Sequence, residues 1–366
     1  MINQYILILI WVGVMALIAH QLRLKKMVMV SGKWEARFPW LLAFITFFPI
    51  IWMAANRGMI GDTPVYADAF ASMPESFSLI PEYMKDISKD PGFYCFAAII
   101  KTIIGNNKVL YFFILAAIQG VILVSVYRKY SEDFFMSVFL FLASTDYISW
   151  MFNGVRQFMA AVFIFAAAGL MIRRKLVPAI LVILFASLFH QSALIMIPIV
   201  IVVQGRAWNA RTLVFLALTV LAILYVDRFT TLLDDALAYT QYENVVSEYT
   251  AWHDDGTNPL RVAVYSVPAL ISFFGREQIK YENDPLINLC TNMSIATAGL
   301  YLISMVTSGI FLGRLPIYCS LFNYILLPWE IRHLFTRQSG RLIYVVMIFS
   351  YLFLYYYQMH NIFGIL

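Results

Sequence analysis

Polar side chains stand at the mouth of an apolar run in the stretch FNGVRQFMAAVF, residues 152–163. Arg156 offers a planar fork of donors that matches the oxygens of a phosphate group. A helix that begins at this point adds backbone N–H groups and the positive end of its dipole, which also favour an anion. The stretch therefore predicts an anion site. The alternative is a tight turn whose arginine extends to lipid headgroups.

A carboxylate that could act as a base stands in NRGMIGDTPVYADAF, residues 56–70. Asp62 could take a proton from a hydroxyl group near a membrane surface, and Arg57 and Tyr66 stand on either side of it. The alternative is an ordinary solvated loop. The nearest approach to a metal-binding group is HDDG, residues 253–256, and that stretch is more typical of an exposed turn.

Two further polar groups interrupt apolar sequence. His190 and Gln191 fall in LFHQSALIM, between two apolar runs and on the same predicted side of the membrane as Arg156. Arg314 begins a predicted helix in LGRLPIYCSLFNY, and Tyr318 follows one turn later. Each group is either part of a site or a polar helix end that meets the lipid headgroups.

The composition predicts the elements that must position these residues. Of the 366 residues, 61% are hydrophobic and 13% are charged, with a mean hydropathy of +0.76. Soluble domains are nearer half apolar and a quarter charged. Apolar segments of about 17–25 residues are typical of membrane-spanning helices. We expect an all-α fold, a polytopic transmembrane bundle that forms a single integral membrane domain over residues 1–366. About twelve spans are expected, at residues 4–22, 37–55, 108–126, 134–152, 157–172, 176–189, 192–204, 211–226, 260–275, 286–306, 314–331 and 342–358.

The basic residues orient these spans. With an outside N-terminus, 17 of the 26 lysines and arginines fall in inner loops and 9 in outer ones. Because basic residues are retained in the cytoplasm, both termini are expected outside. Asp146, in the outer half of the fourth span, is either functional or the partner of a nearby arginine. Four cations gather at outer helix ends and suggest an anionic, lipid-linked substrate: Arg57, Arg156, Arg261 and Arg314.

Two outer connections, residues 56–107 and 227–259, are long, and long structured loops are usually functional. We therefore expect them to bind substrate. The second connection has apolar residues at helical spacing with acids opposite, which predicts a helix on the outer membrane surface. Its apolar residues are Phe229, Leu232, Leu233, Ala236, Leu237, Val245, Val246 and Tyr249. In the first connection, Pro91 suits a first helical turn with Asp90 as its cap, and the apolar run that follows is too short to span.

The sequence lacks several motifs with well-defined chemistry. It has no Walker loop, GxGxxG, HExxH or GxSxG, so nothing supports ATP, a nicotinamide cofactor or standard hydrolase chemistry. Its three scattered cysteines suggest neither a disulfide framework nor a metal knot. We expect no cofactor, no protein-bound metal and no nucleic-acid partner, and the need for a divalent cation stays open.

Five blocks of sequence, in order and over nearly the whole chain, resemble one known family. They are similar to the EpsG family of bacterial exopolysaccharide proteins, which are multi-pass membrane proteins placed with the GT-C glycosyltransferases and related in character to Wzy-type polymerases. Asp90 stands where that family usually has glutamate. The blocks are NRGMIGDTPVYADAF, DPGF, FNGVRQFMAAVFIFAAA, ASLFHQSALIMIPI and GRLPIY.

The resemblance implies polymerisation of repeat units at the outer face of the bacterial cytoplasmic membrane. The donor would be an oligosaccharide on undecaprenyl pyrophosphate, and the acceptor the non-reducing-end sugar of another lipid-linked unit. A chain-length regulator and a flippase for lipid-linked glycans would be further partners. A GT-C-like bundle would carry the site.

The residues fit that chemistry in named roles. Asp62 is the first choice for the base and His190 the next. Arg156 and Arg314 would stabilise the pyrophosphate, with Arg57 in support, since arginines stabilise negative charge without donating a proton. The predicted catalytic residues are therefore Asp62, His190 and Arg156. Six residues would hold the glycan: Tyr66, Asp90, Asn153, Gln157, Gln191 and Tyr318.

Two other functions stay open. A transferase that moves one sugar from undecaprenyl phosphate-sugar would need the same arginines. A flippase or transporter for lipid-linked glycans would instead have polar residues along its helix interiors at mid-membrane depth, whereas the ionisable residues here gather at the predicted outer rim.

Overall fold

The computed structural model describes residues 3–30, 33–59, 61–238 and 254–365, and helices dominate them. In chain order the helices are α1 Gln4–Gln21, α2 Trp40–Ala55, α3 Thr63–Ser72, α4 Ile80–Tyr83, α5 Pro91–Ile104, α6 Lys108–Tyr130, α7 Phe134–Ala143, α8 Val155–Ala166, α9 Ala168–Ile172, α10 Leu176–Ser187, α11 Met196–Val202, α12 Ala210–Leu224, α13 Val226–Leu237, α14 Pro259–Phe274, α15 Arg276–Glu282, α16 Pro285–Met305, α17 Ile317–Ser320, α18 Asn323–His333 and α19 Arg337–Tyr357.

Shorter elements complete the described parts of the chain. Two strands form an antiparallel hairpin in which Lys26 pairs with Arg37 and Val30 with Lys33, an element that the apolar pattern did not predict. The strands are β1 Lys26–Val30 and β2 Lys33–Arg37. Four 3₁₀ turns lie at Phe77–Leu79, Met84–Asp86, Gln191–Ile195 and Leu312–Arg314, and π-helical turns lie at Tyr147–Asn153 and Gln358–Ile362.

The chain divides into two compact units. The first comprises Met1–Ala168, Leu181–Leu194 and Ile331–Leu366, and the second comprises Gly169–Ile180 and Ile195–Glu330. The prediction of a single integral membrane domain stays a prediction.

The first unit is built around α6, which packs against α2 and α8. Gly120 of α6 lets α2 come close, because a Cβ at that position would lie 2.7 Å from the Ile51 Cδ1 atom. Small residues allow such close approach between apolar helices. Gln119 is wholly buried beside it, and its amide nitrogen donates to the Val155 carbonyl at 3.2 Å. This bond attaches α6 to the first residue of α8 and so fixes the start of the FNGVRQ helix.

The second unit is built around α16, against which α12, α14 and α17 pack. Almost all of α16 is buried, including the wholly buried Asn292. Its amide nitrogen donates to the carbonyls of Val203 and Arg206 at 3.0 and 3.1 Å, and its oxygen accepts from the Trp208 N–H at 3.2 Å. The Asn292 side chain thus provides hydrogen-bond partners for three backbone groups of the α11–α12 connection. Buried backbone groups need such partners because they have lost their hydrogen bonds to water.

Helices match the predicted spans over most of their lengths, which confirms a polytopic helical protein. By length and composition, however, five helices in the described ranges can cross a membrane, or seven if each bent pair forms one span. The count of twelve spans is therefore not confirmed. The five are Gln4–Gln21, Lys108–Tyr130, Val155–Ile172, Pro285–Met305 and Arg337–Ile362.

The predicted span 134–152 is broken. The chain bends by 76° between α7 and the π-helical turn Tyr147–Asn153, and Thr145 at the bend has a φ of 61°. A non-glycine residue in that conformation interrupts an α-helix. Asp146 is wholly buried next to it.

The two long connections contain the helices expected of them. In 227–259, α13 turns by 108° from α12 and leaves Leu232 67% exposed, as suits a helix that lies in an interface. The second apolar group of that connection, Val245, Val246 and Tyr249, lies outside the described residues. In 56–107, α5 starts at Pro91 as predicted and runs for 14 residues.

Candidate functional site

Arg156 is the second residue of α8, and its partner is a buried carboxylate. Its Nη1 donates to Asp90 Oδ2 at 2.7 Å, where the Asp90 side chain is 1% exposed and the Arg156 side chain 29%. The Tyr94 ring lies 5.7 Å from the Arg156 guanidinium carbon. A charge-assisted bond of this length is a strong restraint, so Asp90 holds the arginine while part of the guanidinium stays open.

Asp90 reaches Arg156 because of an unusual backbone conformation. Its φ of 48° is left-handed, and its side chain makes no capping bond to α5. Asp90 therefore occupies the predicted N-cap position, but its side chain does not bond to the backbone of that helix. Its second oxygen, Oδ1, accepts from the Gln191 N–H at 3.1 Å. The buried carboxylate thus joins a guanidinium to the backbone of another block, which gives a buried charge the partners it needs.

The DPGF block also packs directly on the chain that precedes His190. The Gly92 N–H donates to the Leu188 carbonyl at 2.8 Å. A Cβ at Gly92 would lie 2.7 Å from the Leu188 Cβ, so only glycine allows this approach without a shift. The two blocks are therefore in direct backbone contact.

His190 belongs to the same region. Its Nδ1 lies 2.7 Å from Ser192 Oγ, and the Gln157 amide nitrogen donates to the same oxygen at 3.3 Å. His190 is half-buried, and Gln157 is 4% exposed. Because His190 is hydrogen-bonded and still partly accessible, it can exchange a proton with a group at the surface.

Arg57 is a second guanidinium with unused donors. Its Nη1 donates to the Met151 carbonyl at 2.8 Å, and its guanidinium lies 4.1 Å from the centre of the Phe112 ring. Its Nε and Nη2 are buried and have no acceptor within the described ranges, and the same holds for Nε of Arg156. Burial lowers the pKa of Arg57 to about 10, so its side chain stays cationic at neutral pH.

Asn153 connects the Asp62 segment to the start of α8. Its Oδ1 accepts from the Asp62 N–H at 3.4 Å. Gly61 has a φ of 59°, and a Cβ there would overlap the Asn153 side chain, so this turn requires glycine. Asp62 itself is exposed, with its carboxylate available to solvent or substrate.

Tyr66 stands close to both arginines. Burial raises the pKa of its hydroxyl, and the nearby positive charge of Arg156 opposes part of that rise. The same hydroxyl acts electrostatically on Arg57. A tyrosine whose pKa is above 10 keeps its proton at neutral pH and can donate a hydrogen bond to a ligand.

Four of the five blocks that were far apart in sequence thus meet in the first unit. We call this set of residues the four-block cluster: Arg57, Asp62, Tyr66, Asp90, Asn153, Arg156, Gln157, His190 and Gln191. The sequence predicted all nine and did not predict the aromatic rings that face the two guanidinium groups. Tyr94 directly follows the DPGF block, and this position was a weak sign that its ring could belong to the site. Phe112 lies within an apolar helix, and nothing in the sequence distinguished it from its neighbours.

Arg314 and Tyr318 lie in the second unit. Arg314 is exposed in the 3₁₀ turn Leu312–Arg314, and Tyr318 in α17 is wholly buried. Their predicted roles stay predictions. Arg261, in the first turn of α14, lies 5.6 and 6.0 Å from the rings of Tyr265 and Tyr301.

The HDDG stretch is not an exposed turn at Asp254, which is 8% exposed. Its Oδ2 accepts from the Ser308 hydroxyl at 2.7 Å and the Ile310 N–H at 2.9 Å, and its Oδ1 accepts from the N–H groups of Gly309 and Gly256 at 2.9 and 3.1 Å. The carboxylate accepts four hydrogen bonds, so it holds residues 254–256 against residues 308–310. In the ranges that the structure describes, no group of three or more His, Cys, Asp or Glu residues could hold a metal ion.

These features define a polytopic helical membrane protein with a cationic cluster built from the first turns of α3 and α8 and from connections between helices. The chain belongs to the EpsG family, whose model matches residues 40–364, and this confirms the resemblance of the five blocks. No curated protein and no solved structure matches the chain.

Proposed function

We propose that this EpsG-family protein polymerises lipid-linked oligosaccharide repeat units at the outer face of the bacterial cytoplasmic membrane. The donor is a glycan on undecaprenyl pyrophosphate, and the acceptor is the non-reducing-end sugar of a second lipid-linked unit. Family membership supports a role in exopolysaccharide synthesis, and the four-block cluster supports the choice of an anionic lipid-linked donor.

The observation that carries the proposal is the set of unused guanidinium donors. Three buried guanidinium nitrogens, two on Arg57 and one on Arg156, have no acceptor in the described part of the chain. A buried donor without an acceptor costs about 1–3 kcal/mol, and folds retain such groups chiefly where they serve a purpose. The oxygens of a pyrophosphate would supply the acceptors and match the planar fork of each arginine.

The reaction needs a stabilised leaving group. The acceptor hydroxyl oxygen forms a bond to the anomeric carbon of the donor sugar, and the bond from that carbon to the pyrophosphate oxygen breaks. The electron pair leaves with the pyrophosphate, whose added negative charge the two arginines stabilise without giving up a proton. Asp90 orients Arg156 for this task, while its predicted contact with the glycan stays a prediction.

The proton of the acceptor hydroxyl goes to a base in the same cluster. Asp62 has an exposed carboxylate, and His190 has a ring held by Ser192. General-base catalysis contributes about 10²–10⁴-fold, so the variant at the true base should lose activity on that scale. The Asp62→Asn and His190→Ala variants, measured side by side across pH, should identify it.

Purified protein and defined lipid-linked repeat units test the function. We expect the wild type to make a ladder of products and Arg156→Ala and Arg57→Ala to lose about 10²–10³-fold in rate. Arg337→Ala, which removes an exposed arginine of α19 outside both long connections, is the control and should keep near wild-type activity.

Each alternative function would give a different result in these assays. Addition of one unit without a ladder would identify a single-sugar transferase. Lipid-linked substrate that crosses a bilayer but stays unchanged in detergent would identify a flippase. Normal ladders from both arginine variants would disprove the pyrophosphate role of the cluster.

A further inference from the structure

The second unit contains a cavity of about 220 Å³ that the proposed reaction does not use. It lies where three connections meet: the end of α9, the end of α11 and the start of α16. Since these three helix ends line one cavity, they lie on the same side of the unit. The positive-inside rule assigns all three connections to the cytoplasmic side. The polar residues that line the cavity are Arg173, Arg174, Gln204, Asn283 and Asn288.

Among the residues that the structure describes, those that line the cavity offer donors and include no acidic side chain. Each arginine brings a guanidinium with five N–H groups, and both residues are exposed. Arg174 has a φ of 56°, a conformation more usual for glycine or asparagine. Asp284 adjoins the lining, but its Oδ1 accepts from the N–H groups of Leu286 and Ile287, at 2.7 and 3.3 Å, at the start of α16.

A buried donor in the lining has no acceptor. Gln204 is 6% exposed, and its amide nitrogen makes no hydrogen bond to any residue that the structure describes. Its backbone is fixed, because its carbonyl accepts from Arg211 Nη2 at 2.9 Å and from the Asn209 amide at 3.1 Å. A buried amide that lacks an acceptor costs about 1–3 kcal/mol. A ligand with acceptor oxygens would remove that cost.

The oxygens of the two asparagines are already used. Asn288 Oδ1 accepts from the Ala207 N–H at 2.8 Å, and the Asn288 amide donates to Asn283 Oδ1 at 3.0 Å. The lining therefore presents positive charge and unused donors, which selects an anion with several oxygens.

We propose that this cavity binds the phosphate group of an anionic phospholipid of the cytoplasmic leaflet. Basic pockets between helices on the cytoplasmic side are suited to anionic lipid headgroups. A volume of 220 Å³ equals that of about seven waters at roughly 30 Å³ each. It accommodates a phosphate with a short polar stem and is smaller than the pockets of about 300–1,000 Å³ that hold drug-sized ligands.

Binding to the delipidated full-length protein in detergent tests this inference. The probes are dioctanoyl phosphatidylglycerol, zwitterionic dioctanoyl phosphatidylcholine and inorganic phosphate, each measured by native mass spectrometry and by the shift in thermal unfolding midpoint. We expect phosphatidylglycerol to bind at least tenfold more tightly than phosphatidylcholine. Inorganic phosphate that binds as tightly as phosphatidylglycerol would overturn the lipid assignment and identify a soluble phosphate as the ligand.

Matched variants separate the cavity from general surface charge. The Arg173→Ala/Arg174→Ala double variant should weaken phosphatidylglycerol binding at least tenfold. Lys175→Ala/Arg206→Ala also removes two exposed basic residues of these connections, but neither lines the cavity, so it should bind within twofold of the wild type. Equal losses in the two double variants would overturn the proposal.

Gln204→Glu tests the buried donor with little change in shape. The introduced carboxylate should repel the phosphate and weaken binding at least tenfold, while the midpoint of the lipid-free protein identifies any loss of folding. Unchanged binding by a folded Gln204→Glu protein would also overturn the proposal. Polymerase activity is not needed for these measurements, so failure of the lipid site leaves the proposed function untouched.

Discussion

Asp90 in the first unit and Asp254 in the second are both buried carboxylates in connecting segments, yet their oxygens accept hydrogen bonds from different kinds of donor. Asp254 accepts from four donors, all within its own loop or the loop it fixes. Asp90 accepts from the Gln191 backbone and from Arg156, a residue with a donor still unused. The comparison shows that one buried acid completes a loop and the other holds a cation, which supports our proposal that the chemistry takes place in the first unit.

The largest effect should come from exchanging the cation itself. Lysine is a point charge and cannot keep both the bond to Asp90 and a fork for phosphate. We therefore expect Arg156→Lys to lower the polymerisation rate about 10²-fold, close to the loss in Arg156→Ala. Product ladders over time measure it. A rate within a few-fold of the wild type would mean that the charge alone matters at this position.

The next largest effect should come from Asp90, and it separates a role in positioning Arg156 from a role in protein stability. Asp90→Asn keeps the shape but loses the charge that holds Arg156, so we expect the maximum rate to fall about tenfold to a hundredfold, with a smaller change in the unfolding midpoint. Glu277→Gln, at an exposed acid of α15 outside both long connections, is the control. A loss of folded protein that matches the loss of rate would make the role of Asp90 purely structural.

Asp254→Asn should show the reverse pattern. The new amide group faces N–H donors, and the mismatch should lower the free energy of unfolding by about 1–3 kcal/mol, while the rate per folded molecule stays near that of the wild type. Thermal unfolding in detergent measures the first quantity and product ladders the second. Glu282→Gln, at an exposed acid of α15 in the same unit, should change neither quantity. A rate loss larger than the stability loss would place Asp254 in the chemistry.

The smallest effect is the dependence of stability on pH. Burial alone raises the pKa of Asp254, but its hydrogen bonds from Ile310, Ser308, Gly309 and Gly256 together hold that pKa below its usual value. Stability from a lowered acid pKa is present above the unfolded value of about 3.9 and is lost as the pH falls through the folded one. The gap in unfolding midpoint between wild type and Asp254→Asn should therefore narrow below about pH 4. A gap that is constant with pH would contradict this account.

The helices could be predicted because apolar composition and length act locally. The spans from Lys108 and from Pro285 are continuous helices, and α5 begins at the predicted proline. The break at Thr145 could not be predicted, since it depends on a single left-handed residue inside a predicted span whose flanking residues are mostly apolar. The β1–β2 hairpin was missed because its strands are short and one carries charges on alternate residues.

The site residues were predictable as types but not as partners. Arg156 and Asp90 each stood out at a helix start, yet nothing within either block shows that they bond to each other. The sequence assigned Asp90 to cap its own helix, whereas its left-handed backbone turns the carboxylate towards α8. Asp254 was placed in an exposed turn, because the donors that bury it lie some fifty residues further along the chain.

The sequence by itself determined that this is a helical membrane protein of the EpsG family, since hydropathy and family motifs are properties of the chain read in order. Only the tertiary structure decided which charges meet. Contacts between Arg57 and Met151, Asp90 and Arg156, and Gly92 and Leu188 form when separate helices pack. Their energies depend on distance in space, which a linear pattern does not contain.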